Sequence, residues 1–446
     1  MFQKAAKVVR RLRNAGFEAY FVGGSVRDLV RCIEPREFDI VTSAKPEHVR
    51  RLFPRTYAVG ESFGVIIVLE EGEKYEVATF RTEEDYADGR RPGRVELAAS
   101  AEEDVKRRDF TVNGLLMDPE SGRILDFVGG REDIEKKLIR TIGDPDARFS
   151  EDHLRMLRAV RFAANLGFEI EPGTMGSIRG KAPCILRISA ERIREELTKI
   201  LTGCNARRGM ELLDSSGLLK LLLPEVDALH AVEQPPLFHP EGDVWEHTLK
   251  MLEILSAGQG GRPDPRLAWA ALLHDVGKAR SQSVDARGIH FYGHAAEGRS
   301  IAADIMMRLR FSNSDKQTVD SLIRHHMDFI NVNRMRPLKL KRFLSMPDFN
   351  LHLELHRLDS LAGSGDLSTY EFCREKLAQM EGAEPPPPPL INGNDLIEAG
   401  FRPGPLFSRI LIEVDDLQAE GELASREEAL GFVLKKWGSE RKAPGR

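Results

Sequence analysis

The sequence predicts an α/β head, a mixed sheet carrying helices, followed by an all-α neck, body and tail. Two patterns predict it. Residues 1–140 alternate short apolar runs with amphipathic stretches, as strands and helices packed in layers do. From about residue 150 apolar residues recur at helical spacing, as in "EDHLRMLRAVRFAANLGF" and "ERIREELTKIL". A third observation bounds the class. The chain has 446 residues, 41% of them apolar and 30% charged, enough for two to four cores. It has no run of apolar residues long enough for a membrane span.

Element by element, residues 4–15 read as a basic amphipathic helix. The opening "MFQKAAKVVRRLRNAGF" lacks the apolar core and cleavage site of a secretory signal. Residues 18–22 read as a strand, 25–31 as a helix opened by Gly23 and Gly24, 38–42 as a strand, and 46–53 as a helix begun by Pro46. "GVIIVLEEGEKYEVATFR" reads as a hairpin around a Glu-Gly turn. Residues 240–365 are helical and rich in histidine, and "EPPPPP" at 384–389 is a stiff extended spacer. The expected domains are 1–140, 141–225, 226–380 and 390–446.

The net charge of −5, taken whole, argues against a nucleic-acid partner. Its distribution argues otherwise. Arg334, Arg336, Lys339, Lys341 and Arg342 crowd one segment, and Lys435, Lys436, Arg441, Lys442 and Arg446 another. Such clusters fit local RNA-backbone contacts, and equally a solvated surface. The four cysteines, Cys32, Cys184, Cys204 and Cys373, form no C-x-x-C pair. That fits a reducing, cytoplasmic setting rather than a disulfide or zinc-ribbon framework.

The chemistry concentrates in "YFVGGSVRDLVRCIEPREFDIVT", residues 20–42. Acidic residues are uncommon in strands, yet Glu37 and Asp39 stand one residue apart at the start of one. Positions i and i+2 of a strand share a face, so both carboxylates would converge, an arrangement that suits Mg²⁺ together with substrate phosphates. An exposed face carrying unrelated acids is the plainer alternative. Gly23 and Gly24, between strand and helix, would let bare amides approach a phosphate, and Arg27 would offer it a charge-assisted fork.

"GGSVRD…EFDIVTSA", "YEVATFR", "DGRRP", "RRDFTVN", "DFVGGREDI", "EDHLRMLRAVRFAANLGF" and "ERIREEL" stand in an order that resembles bacterial class II tRNA nucleotidyltransferases, the CCA-adding enzymes of the DNA polymerase β-like superfamily. The resemblance covers residues 15–225, with a weaker stretch at "INGNDLIEAGFRPGPLFSRIL". It implies template-independent addition of CCA to tRNA 3′ ends from CTP and ATP, with two Mg²⁺ ions in the head. Gly24 and Arg27 then match triphosphate contacts, Glu37 and Asp39 metal ligands, and Arg108 and Asp109 phosphate and ribose contacts. Gly129 and Gly130 match a hinge, and Glu76 a supporting third carboxylate or an ordinary edge-strand acid. The family usually has Asp-x-Asp where this chain has Glu37-x-Asp39, a longer side chain with the same oxygen donors.

"EDHLR" resembles the family's base-selecting site. Asp152 and Arg155, three apart, would share a helix face, one accepting hydrogen bonds and the other donating. Cytosine and adenine each present an amino donor beside a ring acceptor and match that pair, whereas uracil and guanine present a carbonyl to Asp152. Arg158 and Arg161 continue the spacing toward phosphate contact or packing, each step turning about 60° away. Farther on, His247, His274-Asp275 in "LLHDVGK" and Asp359 resemble the HD phosphohydrolases, whose ligands would bind a transition metal. His294, His325 and His326 are candidates for a second metal and Lys278 for substrate phosphate. The HD region is alternatively a structural RNA-binding body.

The partners implied are tRNA, CTP and ATP, with no membrane; oligomeric state is left open. Competing functions are addition of the terminal A alone, poly(A) synthesis, an HD phosphohydrolase with an inert head, and a non-catalytic RNA-binding protein. The loop-like "RTEEDYADGRRPGRVEL" disfavours CC-only addition. "GESFGVIIV" stands where poly(A) polymerases carry a basic signature.

Overall fold

A computed structural model describes the chain except residues 59–63, 87–91, 99, 236–241, 259–260, 287, 381–387, 420 and 441–446. Most of the proline spacer, Arg441, Lys442 and Arg446, the tip of the 81–97 loop and residues 60–63 of "GESFGVIIV" therefore lie outside the described residues. The chain divides into two compact units, Met1–Ile323 and Arg324–Arg446.

The first unit opens with α1 (Phe2–Asn14), whose Ala5, Ala6, Val8, Val9 and Leu12 form one buried stripe. Then come β1 (Ala19–Val22), α2 (Gly24–Val30), β2 (Asp39–Thr42), α3 (Pro46–Leu52), β3 (Thr56–Ala58), β4 (Val65–Glu70) and β5 (Glu73–Thr79). The hairpin turn between β4 and β5 holds Glu71 at φ 49° and Gly72 at φ 82°, the left-handed pair that matches strand twist. A separate ladder, β6 (Arg81–Tyr86) with β7 (Pro92–Leu97), precedes α4 (Ala101–Lys106), β8 (Leu115–Met117) and β9 (Ile124–Asp126). Seven strands make one sheet in the order β3-β4-β5-β2-β1-β8-β9, with only the β2–β5 pair parallel. This is the mixed sheet expected of the head.

Helices follow. They are α5 (Gly130–Glu135), α6 (Pro145–Glu151), α7 (Arg155–Leu166), α8 (Pro172–Lys181), α9 (Ala190–Leu201) and α10 (Ala206–Ser215). A short parallel pair, β10 (Leu138–Ile139) and β11 (Glu169–Ile170), straps the start of this region together. After α11 (Leu218–Leu222) and α12 (Pro224–Asp227) come α13 (Val244–Ala257), α14 (Pro265–Leu273) and α15 (Lys278–Ser281). A small hairpin, β12 (Ser283–Asp285) and β13 (Gly288–His290), then leads to α16 (His294–Arg308) and α17 (Asn313–His325). Neither small ladder is visible in the periodicity, because two- and three-residue strands are too short to show alternation.

The second unit holds α18 (Pro337–Leu344), α19 (Phe349–Ala362), α20 (Ser368–Met380), α21 (Gly393–Glu398), α22 (Pro405–Ala419) and α23 (Arg426–Trp437). Phe329, Phe343, Phe349 and Cys373 anchor one core; Ile391, Leu396, Ile410, Val433 and Trp437 anchor another. Arg342, expected among free basic residues for RNA, is spent on Asp415 at 2.9 Å and Asp416 at 3.3 Å.

Candidate functional site

Sheet register builds the acidic centre. β2 lies between β1 (Val22 opposite Asp39) and β5 (Ile40 opposite Val77), so Asp39 stands beside Glu76 on the neighbouring strand. Burial, then Glu76, then Glu37 push the Asp39 carboxyl up to about 6, with Arg108 opposing them. The convergence expected from strand alternation is corrected in one respect. β2 begins at Asp39, and Glu37 approaches from the exposed segment ahead of it, outside the ladder. Three carboxylates thus share a site in which one guanidinium offsets them, the donor set of an oxygen-ligated divalent cation. The residues present fit that group.

Beside the acids is the glycine turn. Gly23 takes φ 72°, ψ −130°, a conformation glycine tolerates, and its amide donates to the Leu115 carbonyl at 3.2 Å. A Cβ on Gly23 would lie 3.8 Å from Arg108 Nη1, and one on Gly24 3.6 Å from Arg27 Nη2. The two guanidiniums expected at a triphosphate therefore flank this turn. Arg108 is held by Asp104 Oδ2 at 3.0 Å, and Arg107 by Asp104 Oδ1 at 2.7 Å. Asp104 is 1% exposed; burial works against its charge, but Arg108 and Arg107 prevail and hold its carboxyl below the usual range.

A second network reaches into the helical region. Arg27 donates to Asn113 Oδ1 at 2.8 Å and to Asp28 at 2.9 and 3.0 Å. Asp109 takes Arg158 through Nε at 2.8 Å and Nη2 at 2.6 Å, and the Phe110 amide at 2.8 Å. Burial opposes the Asp109 charge, yet Arg158 holds that carboxyl low as well. Arg161 lies against Glu196 at 3.0 Å. Arg27, Arg158 and Arg161 all approach the Phe162 ring, at 5.8, 5.3 and 4.5 Å from its centroid. The expected Gly129-Gly130 hinge is tightly built. Asp126 accepts the amides of Val128, Gly129, Gly130 and Arg131 at 2.9–3.1 Å, and Gly129 is left-handed.

The expected Asp152–Arg155 helix face does not exist. The helix predicted across "EDHLRMLR" breaks: α6 ends at Glu151, Asp152 is extended at φ −140°, ψ 105°, and α7 begins at Arg155. Asp152 bonds the Leu154 amide, the local alternative to helix that aspartate favours. Arg155 is turned inward, to Glu151 at 2.5 Å and to the Arg148 and Arg107 carbonyls at 3.2 and 3.1 Å. The guanidinium on Asp152 is that of Arg192, from α9, with Nη2 2.8 Å from Oδ2 and Nη1 3.4 Å from Oδ1.

In the HD segment, His247 on α13 and His274 at the end of α14 have ring centroids 5.6 Å apart. Asp275 gathers Lys278 at 2.6 Å, His274 at 3.1 Å and His294 at 3.5 Å. Lys278 also donates to Gln234 at 2.7 Å. Asp359, on α19, belongs to the second unit, which begins at Arg324 within the last turn of α17 and so also holds His325 and His326.

Sequence reasoning missed Asp104, Asn113, Phe162 and Arg192. Asp104, three and four residues ahead of two arginines on a helix, is the one whose spacing carried a signal. Arg192 sits inside "ERIREEL", where the resemblance implies no role for it.

Three family patterns match in order. "Poly A polymerase head domain" matches residues 19–140, "Probable RNA and SrmB- binding site of polymerase A" residues 167–229, and "HD domain" residues 244–358. A CCA-adding enzyme of Streptococcus gordonii is 35% identical over 437 residues, 97% of each chain. One from Geobacillus thermodenitrificans is 50% identical over 217 residues, 49% of this chain and 54% of that protein, so this match spans about half its length. The crystal structure of the Bacillus stearothermophilus CCA-adding enzyme in complex with CTP aligns over 98% of both chains, at 29% identity and a TM-score of 0.73.

Proposed function

This chain belongs to the family of CCA-adding enzymes, nucleotidyltransferases with a polymerase head and an HD domain, and from that premise we propose that it adds CCA to tRNA 3′ ends from CTP and ATP. The observation that carries the proposal is the acid cluster of Asp39, Glu76 and Glu37, facing Arg108 across the glycine turn. Family membership implies a divalent metal. Asp39 and Glu37, with Glu76 in support, would hold Mg²⁺, two ions in the full arrangement. Bound there, the cation would lower the pKa of the tRNA 3′-hydroxyl and offset triphosphate charge.

The protein's own groups do the rest. Arg27 and Arg108 flank the turn where the triphosphate would lie, and Arg158 extends that positive field from α7. Asp109 fixes Arg158 and, through Asn113 at 3.4 Å, ties it to Arg27, so these cations are set before substrate arrives. Asp152 accepts from the exocyclic amine of cytosine or adenine. Arg155 would supply the donor half only by leaving Glu151 and the Arg148 and Arg107 carbonyls, which hold it inward.

The test is extension of tRNA transcripts ending before CCA, after C, and after CC, with CTP, ATP or both and Mg²⁺. CCA addition extends all three to the mature end. Extension of the CC-ended transcript alone selects A addition, and long A tails select poly(A) synthesis. A second activity is favoured by Asp275 gathering two histidines and Lys278: hydrolysis of phosphoesters at an HD metal site using His247, His274 and Asp275. It is tested by phosphatase and cyclic phosphodiesterase assays on His274→Ala in a Glu37→Ala/Asp39→Ala background. We place the enzyme in the cytoplasm, where its tRNA and nucleotide substrates are; among the described residues no helix is long and apolar enough to cross a membrane.

A further inference from the structure

We propose that Arg192, on α9, is the positioning residue for base selection: it sets the plane of the Asp152 carboxylate and so determines discrimination against uracil and guanine. The inference rests on the reading that Asp152 contacts the base. Asp152 lies in extended chain between α6 and α7, so helix packing does not set its side-chain direction. Two things set it: the Leu154 amide on Oδ1 at 3.1 Å, and the Arg192 fork spanning both oxygens at 2.8 and 3.4 Å. A planar guanidinium across both carboxylate oxygens fixes the plane as well as the position, which a point charge does not.

The location of Arg192 has an electrostatic reason. It occupies the first turn of α9, behind the Ser189 cap, where the helix dipole disfavours a cation. Its interaction with Asp152 offsets that disadvantage. The next turn of α9 carries Glu196, 3% exposed, against Arg161, while Ile193, Leu197 and Ile200 are buried. The arginine therefore projects from a helix locked to α7, and a rigid element steers a loop carboxylate. The fork takes one lone pair from each oxygen and the Leu154 amide a second from Oδ1, which leaves one on Oδ2 for a base amine.

The pairing also keeps Asp152 off a competitor. Burial lowers the Arg158 guanidinium, and against it Asp109, then Glu196, then Asp152 raise it. A carboxylate released from Arg192 would turn toward Arg158. The acceptor facing the base would then be lost, and with it the penalty on a carbonyl at that position.

The experiment compares the full-length parent with Asp152→Ala, Arg192→Ala, Arg192→Lys and the double alanine variant. A CC-ended tRNA is supplied with ATP, UTP or GTP, a C-ended one with CTP or UTP, and kcat/KM is measured for each. Melting temperature and tRNA affinity are read alongside. Expected: Arg192→Ala lowers the CTP-over-UTP and ATP-over-GTP ratios by about tenfold to a hundredfold. The double variant loses no more than Asp152→Ala, and Arg192→Lys, with a point charge and no fork, recovers only part. If Arg192→Ala slows all nucleotides equally and keeps the parent ratios while Asp152→Ala loses them, the arginine is merely structural and the inference fails. If Asp152→Ala itself keeps the ratios, the underlying reading of the base site fails instead. Should Arg192→Ala melt early, Arg192→Lys decides: parental discrimination with a lysine there overturns the role of the fork.

Discussion

Replacing Asp39 by asparagine should make the metal-free protein more stable and the enzyme inactive. Burial and the neighbouring Glu76 and Glu37 raise the folded-state carboxyl from an ordinary 3.8 to about 6. A group that holds its proton more tightly when folded stabilises the fold while protonated. That contribution is complete below the unfolded value near 4 and is lost as pH rises through about 6. A rise of about two pH units corresponds to about 3 kcal/mol of destabilisation at pH 8 in the absence of a cation. Asp39→Asn removes it. In EDTA, opening free energies from native-state hydrogen exchange over β1, β2 and β5 should exceed the parent's by up to about 3 kcal/mol above pH 7, and the gap should close toward pH 4. Mg²⁺ should stabilise the parent strongly and the variant weakly, while nucleotide addition by the variant falls to the assay background. A variant less stable than the parent at every pH, or a gap independent of pH, would refute the reasoning that these acids are held in mutual repulsion.

Asp104→Ala strands Arg107 and Arg108 beside a hole where a fully buried carboxylate stood. A loss of about 3 kcal/mol is expected by urea denaturation, with a raised KM for both nucleotides as Arg108 leaves the turn. Phe162→Leu removes the ring that Arg27, Arg158 and Arg161 approach. At about 0.5 kcal/mol for each contact, KM should rise roughly tenfold for CTP and ATP alike, with base choice unchanged. Gly130→Ala drives a methyl into the Thr111 carbonyl oxygen and against Leu115, so a drop in melting temperature and loss of CCA addition are expected at that position.

Much of the head was legible because its signals are local. The Glu71-Gly72 turn, Pro46 opening a helix and the glycines after β1 each announce themselves within four residues. The acid cluster was half legible. Alternation predicts Glu37 with Asp39, but the stronger neighbour is Glu76, brought in by the parallel β2–β5 pairing across 36 intervening residues, which no local pattern encodes. The break at Asp152 was hidden for a different reason. "EDHLRMLRAVRF" keeps helical periodicity on both sides, while the event that stops the helix is an aspartate bonding a backbone amide two residues on. Arg192 was hidden because arginines near a helix start are ordinary, and its meaning depends on an aspartate 40 residues earlier.

Asp104 and Asp109 on one side and Asp39 on the other stand in opposite electrostatic settings, and that division matches the proposed division between scaffold and chemistry. Asp104 and Asp109 are buried, but each is gripped by arginines, and both are held below the ordinary carboxylate range. Removing such an acid costs stability, and ionising it costs nothing. Asp39 is the reverse. Its nearest charged neighbours are acids, so folding leaves it short of positive charge by an amount the protein does not itself supply. An uncompensated cluster of this kind persists in a folded chain when a bound cation completes it, and the proposed triphosphate brings that cation along. Asp152 is paired by one arginine that is itself partly exposed, and the proposed base contact falls on the same carboxylate. Ranked by how completely each acid is compensated within the chain, the series runs from Asp104 through Asp152 to Asp39, which is also the order from structural support to the proposed base reading and the proposed catalysis.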